Sequence, residues 1–155
     1  METAVGEFVG TVRQEYEQII KDVINKCTTK ENFMYEQTKE LINYAEKKYG
    51  DEPEFLWEKF DDDAILRNKE NNKWYAVLMT VSAEKININS KEKIEIVDLM
   101  YQKDKIEDII DGVKVFPGYH MNKKSWITVV LNNSMDNKSL FELLDNSYNL
   151  SIRRK

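Results

Sequence analysis

The hydrophobic pattern changes period twice along this chain, and that change limits the fold more than any single motif. From Val12 to Gly50 apolar residues recur at three- and four-residue steps, the spacing of a helix face. From Ala64 to Leu131 they alternate or run in β-branched blocks, and from Asp136 the helical spacing returns. AILRNK and KWYAVLMTV flank Glu70-Asn71-Asn72, whose asparagines accept the positive φ of a hairpin turn. KIEIVDLMY at 93–101 sets Ile94, Ile96 and Asp98 against Val97 and Leu99, with Asp98 breaking an apolar row. SWITVVL at 125–131 places Trp126, Thr128 and Val130 on one face and Ile127, Val129 and Leu131 on the other. Strands joined by short turns, with helices before and after, give an α+β domain with a mainly antiparallel sheet packed against helices.

Around that block, GEFVGTVRQ at 6–14 reads as a short strand, and Val12, Tyr16, Ile19, Ile20, Val23, Ile24 and Cys27 mark a first helix. Thr28-Thr29-Lys30-Glu31 is a capping box that opens a second helix, with Met34, Thr38, Leu41, Ile42, Ala45 and Tyr49 on one face and Gly50 as its stop. A short helix carries Ile106, Ile109 and Ile110 inward and ends at Gly112. The last helix, capped by Ser134 or Asp136, bears Leu140, Phe141, Leu143, Leu144 and Tyr148. We divide the chain into an amino-terminal strand and helix extension, 1–27, and an α+β domain, 28–155.

At 155 residues the chain is long enough to bury one substantial core. No apolar run approaches the roughly 18 residues of a membrane span, and the amino terminus lacks the basic start and apolar block of a secretory signal. Cys27 is the only cysteine, which rules out an internal disulfide and a cysteine-based metal cluster. These features point to the cytoplasm. The net charge is −5, but it is unevenly spread. Residues 1–63 hold 8 basic against 16 acidic side chains, and residues 64–155 hold 15 against 12. The acidity is amino-terminal, and the remainder has the composition for a basic face.

His120, the only histidine, lies in PGYHMNKKSWITVVL at 117–131. Imidazole suits proton transfer, but such chemistry needs a positioned partner, and no nucleophile motif accompanies it. We read His120 as a turn residue and assign no catalytic residue. One histidine and no cysteine pair make a transition-metal site unfavourable, so no metal and no cofactor is expected. Asp61-Asp62-Asp63 lacks the alternating ligands and glycine of a calcium loop, and we read it as a solvated turn. The five glycines are scattered, which excludes a glycine-rich phosphate loop.

Trp57, Phe60, Trp74, Tyr75 and Trp126 could fill a core or stack on bases. Trp74 and Tyr75 are neighbours in a strand and point to opposite faces, so the less buried of them is the better binding residue. Arg67, Lys69, Lys73, Lys123 and Lys124 gather around the hairpin and the turn before the last strand. Lysines there also discourage edge-to-edge sheet pairing.

In order and spacing, PEFLWEKF, AILRNKENNKWYAVLM, PGYHMNKKSWITVVL and LFELLDNSYNL resemble the MmcQ/YjbR family over about residues 35–152. YHMN followed by Lys-Lys and tryptophan, and the closing Ser-Tyr, are the most specific pieces. The resemblance implies a CyaY-like α+β fold and a double-wing arrangement, and its members are labelled DNA-binding. Frataxin-like iron proteins share that fold, but a fold alone does not transfer function. Two departures stand out. Met100 occupies a position where relatives carry a lysine, and LMYQKDKI lacks the proline that follows in them. Residues 2–27 look like the junction found in longer relatives, which suggests a remnant of a longer protein.

Two functions follow as expectations. The first is a non-enzymatic module that binds DNA weakly and without sequence preference. Its phosphate contacts would be Arg67, Lys69, Lys73, Lys123 and Lys124, joined by Arg153, Arg154 and Lys155, with Trp74, His120 and Asn122 refining the contact. The alternative is a protein-interaction module that engages another protein through the amino-terminal strand and helix.

Overall fold

A computed structural model describes residues 33–57 and 63–153 of the protein. The strand expected at 6–14, the first helix with Cys27, the capping box at 28–31, Phe60, Asp61, Asp62, Arg154 and Lys155 lie outside the described residues, as does the side chain of Arg153.

Among the described residues five strands form one antiparallel sheet: β1 (Ala64–Arg67), β2 (Trp74–Ser82), β3 (Lys93–Met100), β4 (Val115–Pro117) and β5 (Trp126–Val130). Their order is β1-β2-β3-β5-β4, so the chain leaves β3, passes through β4 at the edge, and returns as β5 between the two. Alternation sorts the side chains as the sequence pattern requires. Leu66, Leu78, Val97, Leu99, Ile127 and Val129 face helices α1 (Glu36–Tyr49) and α3 (Asn137–Arg153). Ile65, Val77, Met79, Ile96 and Val130 occupy the second face, where Phe116 and a 3-10 helix, Ala83–Ile86, join them. Both faces are buried, which explains why these strands read as near-continuous apolar runs. A four-residue helix, α2 (Ile106–Ile109), buries only Ile106 fully, with Ile109 and Ile110 half-buried.

Helix α1 begins later than the sequence suggested. Tyr35 is its N-cap and supplies no side-chain hydrogen bond, and Met34, expected on the buried face, is 81% exposed. The missing cap comes from β3. The Glu95 carboxylate accepts the Met34 N–H, the Tyr35 N–H at 3.0 Å and the Thr38 hydroxyl at 2.7 Å. A carboxylate at a helix N-terminus satisfies orphan donors and opposes the helix dipole, so a nearly fully buried glutamate is stabilised there. Gly50 ends the helix with φ +73° and donates to the Glu46 carbonyl.

Asp136 caps α3 by accepting the Ser139 N–H at 3.1 Å. Buried Ser147 then ties this helix to two strands, accepting the Met100 N–H at 2.9 Å and donating to the Tyr75 carbonyl at 2.6 Å. Helices α1 and α3 meet through aromatic side chains. Tyr44 stacks on Phe141, and Tyr49 stacks on Tyr148 at 3.7 Å between centroids. Burial alone would raise the Asp145 pKa. Hydrogen bonds from Tyr44, Tyr49 and Lys48 outweigh it and hold the carboxyl below its ordinary value.

Candidate functional site

The strand register decides which of the predicted residues can act together. Arg67 pairs with Trp74, Ala76 with Leu99, and Met100 with Trp126, while Pro117 pairs with Ile127. The β1–β2 connection, the exit of β3 and the β4–β5 turn therefore project from the same end of the sheet. Antiparallel strands lie about 4.8 Å apart, so roughly 10 Å separates β2 from β5 across β3.

Local bonds shape each of the two projections. In the hairpin, Asn68 is fully buried, its backbone N–H bonds to the Lys73 carbonyl, and Asn72 takes φ +63°. Arg67 is turned back onto Glu54, with Nε 3.1 Å from the carboxylate. Lys69 is exposed, and its ammonium donates to the Gly50 carbonyl at 2.7 Å. Lys73 is half-buried. In the β4–β5 turn, His120 takes φ +62° and is exposed, its ring 4.0 Å from that of Tyr119. Positive φ is uncommon outside glycine, with asparagine, aspartate and histidine the usual exceptions. Asn122 accepts the Lys124 N–H on its side chain and the Ser125 and Trp126 N–H groups on its carbonyl. Lys123 donates to the Gly118 carbonyl at 3.1 Å, and both Lys123 and Lys124 are exposed.

Beneath this turn lies a buried carboxyl. Asp98, in the central strand, is fully buried, and its Oδ1 accepts the Thr128 hydroxyl at 2.5 Å. The same Thr128 oxygen accepts the Tyr119 N–H at 2.8 Å, so the turn rests on Thr128 and Thr128 on Asp98. Among the described residues Oδ2 has no hydrogen-bond partner. Burial pushes the Asp98 pKa up to about 8; the Thr128 hydroxyl, the Tyr119 N–H and the Lys123 ammonium offset part of that rise. Gly118 enters the turn where β4 and β5 come closest: a Cβ there would lie 2.8 Å from both Cβ and the carbonyl oxygen of Trp126.

A groove of about 550 Å³ runs from this end along the second face of the sheet. Val77, Met79 and Val81 form its floor. Trp57 and Trp74, in edge-to-face contact at 5.9 Å, line it, as do Tyr119 and His120. Lys85 and Lys93 reach the end near Ser82, which pairs with Lys93. Trp74 and His120 thus share one groove, whereas Tyr75 is fully buried on the helix face. Lys85 and Lys93 were not among the residues predicted from sequence; Lys85 lies in the 3-10 helix and Lys93 opens the KIEIVDLMY strand, and they come to one groove only because β2 and β3 pair at Ser82 and Lys93.

Comparison with known proteins agrees with this architecture. The family model YjbR matches residues 46–150. A Bacillus subtilis protein named uncharacterized protein YyaQ is 31% identical over 112 residues, covering 72% of this chain and 95% of its own length. A crystal structure of a Pseudomonas syringae protein is 41% identical with a TM-score of 0.71, covering 76% of this chain and 99% of that one. A solution structure from the same organism gives a TM-score of 0.66 at 41% identity, over 73% of this chain and 90% of the other.

Proposed function

The chain belongs to the YjbR family, and from that premise we propose that it is a non-enzymatic DNA-binding module whose contact surface is the sheet end carrying the hairpin and the β4–β5 turn. One observation carries the reading: the register gathers Lys69, Lys73, Lys123 and Lys124 at one end of a protein that is acidic overall. Exposed Lys103 follows closely on the end of β3, whereas Lys105 lines a pocket beside α3 with Met135, Ser139 and Glu142. Phosphate contacts of this kind supply affinity through counterion release without reading sequence. The pairing of Arg67 with Glu54, and the exposed Glu70 and Asp104 beside the lysines, keep the affinity low. His120 and Asn122 serve here mainly to shape the turn that displays Lys123 and Lys124.

Titration of a labelled duplex at low salt tests this reading. Binding should weaken with salt at a log–log slope of roughly −0.9 per neutralised phosphate. Replacing Lys123 and Lys124 together by alanine should lower the magnitude of that slope by about two. Absence of binding by folded protein at low salt refutes it.

A further inference from the structure

The groove on the second face bears the marks of a base-stacking surface, and we propose that it binds single-stranded DNA, with the basic sheet end holding the phosphates where the strand enters. The inference rests on the DNA-binding reading above and narrows it from DNA in general to an unpaired strand. Its physical basis is the combination of ring faces and cations along one track. Sequence-tolerant single-strand binders join a positively charged groove to aromatic side chains on which successive bases stack. Here Trp57 and Trp74 stand together in the groove, with Tyr119 and His120 also lining it. Lys85 and Lys93 line its far end, and exposed Lys123 and Lys124 follow His120 and Met121 in the turn at the other. Among the described residues Asp63 is the one acidic side chain lining the groove, against two lysines, a balance that suits a polyanion.

The dimensions fit a short stretch of strand. From Trp74 to Ser82 the floor strand advances eight residues, or roughly 26 Å at the usual rise. That length suits a site of about four nucleotides, the lower end for a single compact domain. A duplex is too wide to present its base faces to such a track, because its bases are stacked on each other and only their edges are open. The floor of Val77, Met79 and Val81 offers apolar contact to a thymine methyl group, which favours thymine-bearing DNA over RNA.

The test uses the full chain and an oligo-dT of about eight nucleotides, followed by tryptophan emission and by anisotropy at low salt. Binding should quench the emission. Trp74→Leu and Trp57→Leu should each weaken it by about tenfold. Because Trp74 is half-buried, Lys85→Glu/Lys93→Glu provides a surface variant that leaves the apolar face intact, and it too should lose affinity. Several results overturn the inference. They are undiminished oligo-dT binding by the folded tryptophan variants, or a duplex of equal length binding more tightly without quenching. Tighter binding of oligo-rU, or concentration-dependent self-association that silences the oligo-dT response, overturns it as well. The duplex result leaves the general DNA reading standing, whereas failure of every oligonucleotide to bind removes both.

Discussion

Asp98→Asn isolates the one fully buried carboxyl whose second oxygen has no partner among the described residues. Burial raises its pKa to about 8 from an ordinary value of 3.8. The folded protein therefore holds this proton more tightly than the unfolded chain does. Its contribution is complete below about pH 4, declines as pH rises, and levels off above about pH 8. Within that window one proton changes stability by about 1.4 kcal/mol per pH unit, so the full span is on the order of 5 kcal/mol. Asparagine keeps an oxygen for the Thr128 hydroxyl but cannot ionise. Urea unfolding of both proteins at intervals from pH 5 to pH 9, followed by tryptophan emission, gives the difference in stability at each pH. Subtracting one protein from the other cancels the other titrating groups, and the offset from the new amide is the same at every pH. The variant should gain on the wild type steadily up to about pH 8 and then hold a constant lead. A difference that stays flat within about 0.5 kcal/mol across the range would refute the reasoning, because it would mean that the carboxyl is ionised at little cost inside the fold.

Four further substitutions test the packing that positions the site. Leu99, fully buried in the central strand, should lose about 2–5 kcal/mol on truncation to alanine in a denaturant melt, while Met34→Ala should stay within about 0.5 kcal/mol. Glu95→Ala leaves the Met34 and Tyr35 N–H groups without their acceptor and should cost about 1–3 kcal/mol, with faster amide exchange in the first turn of α1. Gly118→Ala forces a methyl against the Trp126 backbone and should cost about 1–3 kcal/mol, read in the same melt and in displaced Tyr119 and Trp126 amide resonances.

How much of this was legible in the sequence depends on the distance over which each feature is decided. The strands from Ala64 to Val130, the positive φ of Asn72 and the Gly50 helix stop are local, and they follow from alternation and turn chemistry. The start of α1 is not local, since its cap is Glu95, about sixty positions away. The capping box at 28–31 lies outside the described residues, and Met34, largely exposed, precedes the helix rather than lying on its buried face. Strand β4 leaves almost no mark in the sequence, because three residues ending in proline carry almost no periodic signal. The return of β5 between β3 and β4 leaves no trace in composition either.

The site was legible in part for the same reason. The residue types of a basic hairpin and a basic turn are readable, but a side chain's occupation is not. Arg67 bonds to Glu54 and Lys123 to the Gly118 carbonyl, which depend on how the chain folds back on itself. Asp98 did leave a signal, as the polar break in an apolar row between Val97 and Leu99. Its meaning emerged only when the β3–β5 register placed it opposite Thr128, whose hydroxyl also receives the Tyr119 N–H. A turn anchored this way is held by the core of the sheet rather than by its own residues alone. That anchoring accounts for YHMN lying beside an otherwise unremarkable strand: the tyrosine N–H bonds down to Thr128, the histidine accepts the left-handed turn, and the asparagine closes it. The lysines that follow are thereby presented at a fixed place on the sheet end, the arrangement that a phosphate-contacting surface requires.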